Sequence, residues 1–304
     1  MCNNSITDKG ICQETEKILQ KASIKRKYNI DVIEWLRSIG EYEKAKHIEE
    51  CATFIGITNI SGYPKIVKSN FCRERLCNIC AWRRQSKFVA QMFPIIENLS
   101  QKGYRFIEVV LTIRNPDYNT LEYWFNKMLN SFYLLMKTRK IKRAWEGCTR
   151  SIEITYNAEK NTYHPHIHML IAVKEEYFYN KNLYISQEEL SILWAEKLGI
   201  DYTPDVYIKV VADGCVGAVE NLKYSLKPTQ YEQALQVFHT LLKGRRLVSF
   251  NGIFAKLRKE FKYCSIDDIE TDDIIGNKEK KIKYNLYKYD VTGGVYTFYD
   301  TYSL

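Results

Sequence analysis

The chain has no run of about 18 apolar residues, the length a membrane-spanning helix requires, so no span is expected. Its first residues, Met1-Cys2-Asn3-Asn4, lack the basic-then-apolar pattern of an export signal. A cytoplasmic protein with no membrane partner is the default expectation. No internal repeat is visible, and no G-x-x-x-x-G-K-[ST] segment occurs, so nothing marks an ATPase. Nine cysteines without an export signal argue against a disulfide framework. Metal ligation or buried free thiols are the expected uses. Histidine is scarce, with only five in 304 residues.

What is present is an ordinary globular balance, 45% hydrophobic and 27% charged. The length suits one large domain or two modest ones. A net charge of +9 suits a partner with a phosphate backbone without requiring one. The 23 tyrosines, interleaved with basic residues, suit single-stranded nucleic acid, whose bases stack on rings. Tyrosine also simply favours sheet faces.

Residues 1–50 read as polar and helical, with Ile33, Leu36 and Ile39 near Trp35 at roughly helical spacing. Residues 51–87 read as irregular and cysteine-rich. Ser86–Leu99 reads as a helix that Pro94 starts or kinks. Strands are expected at Phe106–Ile113, Thr149–Tyr156, Tyr163–Val173 and Asp205–Val211. Asn157–Thr162 joins the second and third as a hairpin. Helices are expected at Thr120–Lys140, at Ser186–Leu198 behind a Ser186/Glu189 capping box, at Gly217–Leu226 and at Tyr231–Leu242. Residues 265–283 carry an acidic block and then a basic one, read as a solvated linker. The tyrosine-rich stretch 284–302 reads as a small hairpin around Gly293-Gly294. The expected division is a helical region at 1–50, a cysteine-rich segment at 51–90, a main domain at 100–262, and a charged linker with a tyrosine-rich tail at 263–304.

Tyr163-His164-Pro165-His166-Ile167-His168-Met169 places three of the five histidines within five positions. A strand repeats every two residues, so His164, His166 and His168 share a face while Ile167, Met169 and Ile171 face the core. Imidazoles two apart on a strand stand about 6.5–7 Å apart at Cα and can converge on one ion. If Thr149–Tyr156 and Tyr163–Val173 pair, Glu153 falls opposite His166 or one residue off, on the same face. Glu153 is then the favoured third ligand, and His164 the alternative. Two nitrogens and a carboxylate suit Mn²⁺ or Mg²⁺, with Zn²⁺, Co²⁺ or Ni²⁺ as substitutes.

Glu220, Tyr224 and Lys227 stand at i, i+4 and i+7 of the expected helix, hence on one surface. Tyrosine attacks a phosphate only with help from a metal, a base or a cation. Alone, this pattern is weak and is more often that of an exposed helix with a charge pair. Cys72-x4-Cys77-x2-Cys80 supplies three ligands of a tetrahedral zinc site. Cys51 is the natural fourth, with His47 as runner-up. Arg73, Arg75, Arg83, Arg84 and Lys87 around it suggest a phosphate-facing surface.

Together these motifs resemble the HUH-type replication initiators of rolling-circle plasmids, in the branch with one catalytic tyrosine. The resemblance rests on Val110-Leu111-Thr112-Ile113-Arg114-Asn115, then His164-Pro165-His166-Ile167-His168, then Tyr224-Ser225-Leu226-Lys227. The cysteine segment with Arg83-Arg84, Glu220, and Lys243 to Gly252 with Arg245 and Arg246 extend it over roughly residues 45–262. It implies an α+β fold, a central antiparallel sheet with flanking helices, preceded by a small cysteine-rich zinc segment. It implies a bacterial setting and single-stranded or hairpin origin DNA as partner. Tyr224 would form a 5′-phosphotyrosine and leave a 3′-hydroxyl for a host polymerase. Glu220 would let water end the round, and a host helicase would unwind the duplex. A homo-oligomer is compatible with it. The rivals are a non-enzymatic, zinc-containing DNA-binding regulator, a water-using metal phosphoesterase and a transposase of the same class.

Overall fold

A computed structural model describes residues 12–60, 62–211, 232–263, 266 and 283–303. The expected helix Gly217–Leu226, carrying Glu220 and Tyr224, lies outside the described residues, as do Lys227 and nearly all of 265–283. In chain order the elements are α1 (Gln13–Lys27), α2 (Asn29–Ser38), α3 (Tyr42–Glu50), β1 (Phe54–Ile60), β2 (Tyr63–Ser69), α4 (Asn78–Gln101), β3 (Tyr104–Thr112), α5 (Tyr118–Met136), α6 (Arg139–Ala144), β4 (Gly147–Asn157), β5 (Thr162–Lys174), α7 (Gln187–Leu198), β6 (Val206–Val210), α8 (Glu232–Leu241), β7 (Val248–Phe250), α9 (Gly252–Glu260), β8 (Lys283–Asp290) and β9 (Val295–Ser303). The fold is α+β with antiparallel sheets. Among the described residues no helix is long and apolar enough to cross a membrane.

The chain divides into two compact units. The first comprises Met1–Lys87, Pro228–Leu235 and Cys264–Leu304. It holds α1 to α3 and an antiparallel sheet in the order β2-β1-β8-β9. Ile55 and Ile57 of β1 and Ile66 of β2 bury one sheet face in a core with Leu19, Trp35 and Leu36 from the helices. The region expected to be irregular therefore contains a hairpin. Its alternation (Ile55, Ile57; Ile66) is short and broken by a bulge between Gly56 and Ile57, which weakens the period-two signal. The tyrosine-rich end forms its expected hairpin, and that hairpin joins this sheet: Ile55 pairs with Tyr287 and Tyr287 with Phe298.

The second unit comprises Phe88–Lys227 and Gln236–Tyr263 and carries a sheet in the order β6-β3-β5-β4-β7. The long helix expected over Thr120–Lys140 is two helices, α5 and α6, with Thr138 between them. Ser186 caps α7 as its capping-box pattern requires, accepting from the Glu189 N–H at 3.1 Å. α4 starts eight residues earlier than the apolar pattern suggests and runs through Pro94.

Side chains of this sheet sort strictly by parity. Ile167, Met169 and Ile171 of β5, with Ile152 and Ile154 of β4, form the apolar face. Arg150 shares that parity and lies 5.0 Å from the Phe132 ring of α5, so α5 covers this face. On the other face Phe106 meets Phe254 of α9, and Phe250 meets Phe88 of α4 edge-on at 5.9 Å. Gln91 and Arg258 join α4 to α9 by a 2.7 Å hydrogen bond. These two helices roof one end of the second face, and the histidines occupy the other.

Candidate functional site

The register across β4 and β5 is unbroken: Ser151 faces His168, Glu153 faces His166 and Thr155 faces His164. Directly opposed residues project to the same face. Glu153, His166 and His168 therefore converge, and their donor atoms lie within 4.8 Å of one another. Glu153 Oε2 stands 3.2 Å from His166 Nε2 and 2.8 Å from His168 Nε2. The three residues are buried, at 4%, 9% and 8% exposure. The Nδ1 atoms of both imidazoles are buried without a hydrogen-bond partner among the described residues. One carboxylate and two imidazoles, desolvated and pointed at a common centre, fit a divalent cation, whose charge would offset that burial.

His164 has the same parity but a different partner. Its Nδ1 bonds Asn115 Oδ1, and it stacks edge-on against His166 at 4.5 Å between ring centroids. Burial pushes its pKa down, aided by the neighbouring His166. The converging donor group does not include it. Asn115 is thus a site neighbour that a reading of Asn115-Pro116 as a turn overlooks; its place at the end of the Leu111-Thr112 motif was the available signal.

In the first unit, Cys51, Cys72, Cys77 and Cys80 bring their sulfurs within 4.8 Å of one another. Cys80 Sγ lies 3.6 Å from both Cys51 Sγ and Cys72 Sγ. Cys51 ends α3 and Cys77 precedes the first turn of α4, where its carbonyl accepts from Ala81 N–H. Two N–H groups point at sulfur: Cys72 N–H at Cys51 and Asn29 Nδ2 at Cys77, both at 3.4 Å. Burial opposes ionisation of Cys77, yet hydrogen bonds from Cys51, Cys72 and Cys80 outweigh it and hold its pKa well below the usual thiol value. The same bonds, Cys72's first, push Cys51 up. Four thiols so close cannot all ionise unaided, so the set suits a cation. His47, the alternative ligand, sits instead 3.6 Å from Glu74. Asn29 is a further site residue without any sequence signal, since one asparagine opening a helix is unremarkable.

The basic residues of this segment divide. Arg83, Arg84 and Lys87 lie inside α4, each only 3% exposed. Arg84 donates to the Arg73 carbonyl at 2.6 Å, and Arg83 lies 5.4 Å from the Phe71 ring. The expected phosphate-facing surface thus loses these three to packing, because α4 begins at Asn78 and turns them inward. Arg73 is exposed and Arg75 partly so. Arg245 ties α8 to α5 through the Leu241 carbonyl and Asn126, while Arg246 is exposed.

Residues 63–297 match the replication protein family. The chain belongs to that family. Among its relatives are "Protein rep" of Streptococcus pneumoniae serotype 2, 33% identical over 76% of this chain and 75% of the relative, and "Protein rep" of Bacillus amyloliquefaciens, 32% identical over 78% of each. A "Protein rep" of Staphylococcus aureus is 34% identical over 64% of this chain and 86% of its own. No solved structure matches significantly. The family agrees with the rolling-circle plasmid Rep resemblance carried by the motifs, and the histidine strand of this Rep protein lies inside the matched region.

Proposed function

We propose that this Rep protein initiates rolling-circle replication by nicking single-stranded or hairpin origin DNA, with Tyr224 as the nucleophile. The observation that carries the reading is the convergence of Glu153, His166 and His168 on one buried point of a sheet face. Held there, Mn²⁺ or Mg²⁺ would polarise the scissile phosphate and offset the charge that develops on it. Tyr224 O forms the new bond to phosphorus while the bond to the 3′ oxygen breaks. The phenol proton passes to Glu220, four residues earlier in the sequence, and the departing 3′ oxygen takes a proton from water. The products are a 5′-phosphotyrosine and a free 3′-hydroxyl that a host polymerase extends. Lys227 lowers the cost of the phenolate, whose ordinary pKa is about 10. Glu220 later directs water at the phosphotyrosine and releases the chain. His164, held by Asn115, orients the neighbouring His166 ring.

Zn²⁺ in the Cys51, Cys72, Cys77 and Cys80 cluster would serve structure, since four thiolates leave no open position for substrate. Arg73 and Arg75 beside the cluster, with Arg246, would contact phosphates. A host helicase supplies unwinding. The thiol cluster beside Arg73 and Arg75 favours one second reading, a zinc-containing DNA-binding regulator without catalysis.

One assay separates the two. The protein is incubated with Mn²⁺ and end-labelled hairpin and single-stranded oligonucleotides, and products are resolved on a denaturing gel. A covalent adduct is expected for the wild type and none for Tyr224→Phe. An adduct that survives Tyr224→Phe removes Tyr224 from its role, and binding without any cleavage favours the regulator.

A further inference from the structure

The sheet face that carries the histidines opens toward one edge. Tyr207 of β6 pairs with Val110 of β3, and Val110 with His168 of β5. One rung therefore runs Ser151, His168, Val110, Tyr207, all projecting to the same face. Exposure climbs along it: Ser151 and His168 are buried, Val110 is half-buried, and Tyr207 is 47% exposed. The next rung repeats the gradient from Glu153 and His166 through Thr112. Among the described residues the site is closed toward β4 and open toward β6.

Two tyrosine rings and an arginine lie near that edge. Tyr207 stands two strands from His168, about 10 Å. Just beyond it, the Arg114 guanidinium lies 4.1 Å from the Tyr202 ring, and the Arg114 N–H donates to Tyr202 Oη at 3.0 Å. Thr112 Oγ1 donates to the Asp205 carbonyl at 2.7 Å and fixes the Tyr202–Asp205 loop against β3. An exposed ring, a second ring carrying a cation and an apolar step between ring and site make a stacking platform with a phosphate contact.

We propose that Tyr207, with the Arg114–Tyr202 pair, is the platform on which bases flanking the scissile phosphate stack as single-stranded DNA crosses the β6 edge. The substrate class rests on the nicking reading above; the platform rests on the rung geometry.

The test measures binding of fluorescein-labelled oligothymidylate by anisotropy, without added Mn²⁺ or Mg²⁺ and without chelator, in a Tyr224→Phe background, so that chemistry does not contribute and the thiol cluster is left intact. Tyr207→Leu is expected to weaken binding about 5- to 100-fold with an unchanged salt slope. Tyr207→Trp is expected to restore it. Arg114→Gln is expected to lower the salt slope by about one. Tyr133→Leu, at a tyrosine on α5 beyond the opposite face that is also exposed, serves as control and is expected to bind as the parent does. Circular dichroism checks that each variant is folded. Failure of the parent to bind, unchanged binding by Tyr207→Leu, or equal losses in Tyr207→Leu and Tyr133→Leu would each overturn the platform. If the platform variants behave as expected while wild type forms no adduct with Mn²⁺, the platform stands and the nicking reading falls. An adduct combined with unaffected Tyr207→Leu binding gives the converse.

Discussion

Glu153 and His166 are direct partners across the β4–β5 ladder, and their Oε2 and Nε2 atoms stand 3.2 Å apart. Nothing but an unbroken register is needed to hold them there, and a slip of one residue would send Glu153 to the opposite face. The pair is therefore set by backbone pairing before any ion arrives.

Replacing Glu153 with Gln keeps the volume and removes the charge that faces the two imidazoles. Calorimetric titration with Mn²⁺ is expected to show affinity at least about tenfold weaker, with the far-ultraviolet circular dichroism unchanged. Wild-type affinity in Glu153→Gln would exclude this carboxylate as a ligand.

The thiol cluster predicts one metal per chain in the first unit. Cys77→Ser is expected to lower the zinc content of purified protein by about one equivalent and to lower its melting temperature, because binding energy at such a site is folding energy. Chelation of the wild type should reproduce the loss. An unchanged zinc content would remove Cys77 from the site.

Gly252 opens α9 with φ near +54°, and a Cβ there would run into the carbonyl of Glu146. Gly147, its neighbour across the contact, would place a Cβ 2.6 Å from the Ile253 nitrogen. Gly252→Ala is expected to cost about 1–3 kcal/mol in urea denaturation. Equal midpoints would show that the contact yields more easily than its packing implies.

Burial pushes Tyr163 and Tyr177 up to about 12 from 10.0, and Cys148 up to about 12 from 9.0. Folded pKa values above the unfolded ones mean that the unfolded chain gives up protons first. The contribution to stability is intact below about pH 9 and is lost as pH rises toward 12. Absorbance at 295 nm should therefore show late-ionising tyrosines whose step coincides with unfolding, and alkylation mapped by mass spectrometry should spare Cys148 at pH 8. Early, complete tyrosine ionisation in the folded state would contradict this.

How much of this was legible in sequence depends on how local each signal was. The histidine strand, its hairpin partner and Glu153 are fixed by period-two spacing and one short connection, so parity alone places them. The four cysteines are also near one another in sequence, with Cys51 at a helix end. Arg83, Arg84 and Lys87 were misleading for the opposite reason: charge suggests surface, but the register of α4, set by its unseen start at Asn78, turns them inward. Asn29 and Asn115 act through contacts 48 and 49 residues away, which no local pattern encodes. The pairing of β1 with β8 joins segments more than 220 residues apart and is invisible to any window.

That last pairing also orders events in time. β8 and β9 supply half of the first unit's sheet, and Tyr296 Oη bonds the Ala52 carbonyl beside Cys51. During synthesis the second unit's strands all emerge before residue 283, so its sheet can assemble on the ribosome. The first unit, though its helices are made earliest, must wait for the last hairpin. Long-range pairing of this kind is slow to form, and a message truncated before β8 would yield a Rep protein with its histidine face assembled and its cysteine unit unfinished.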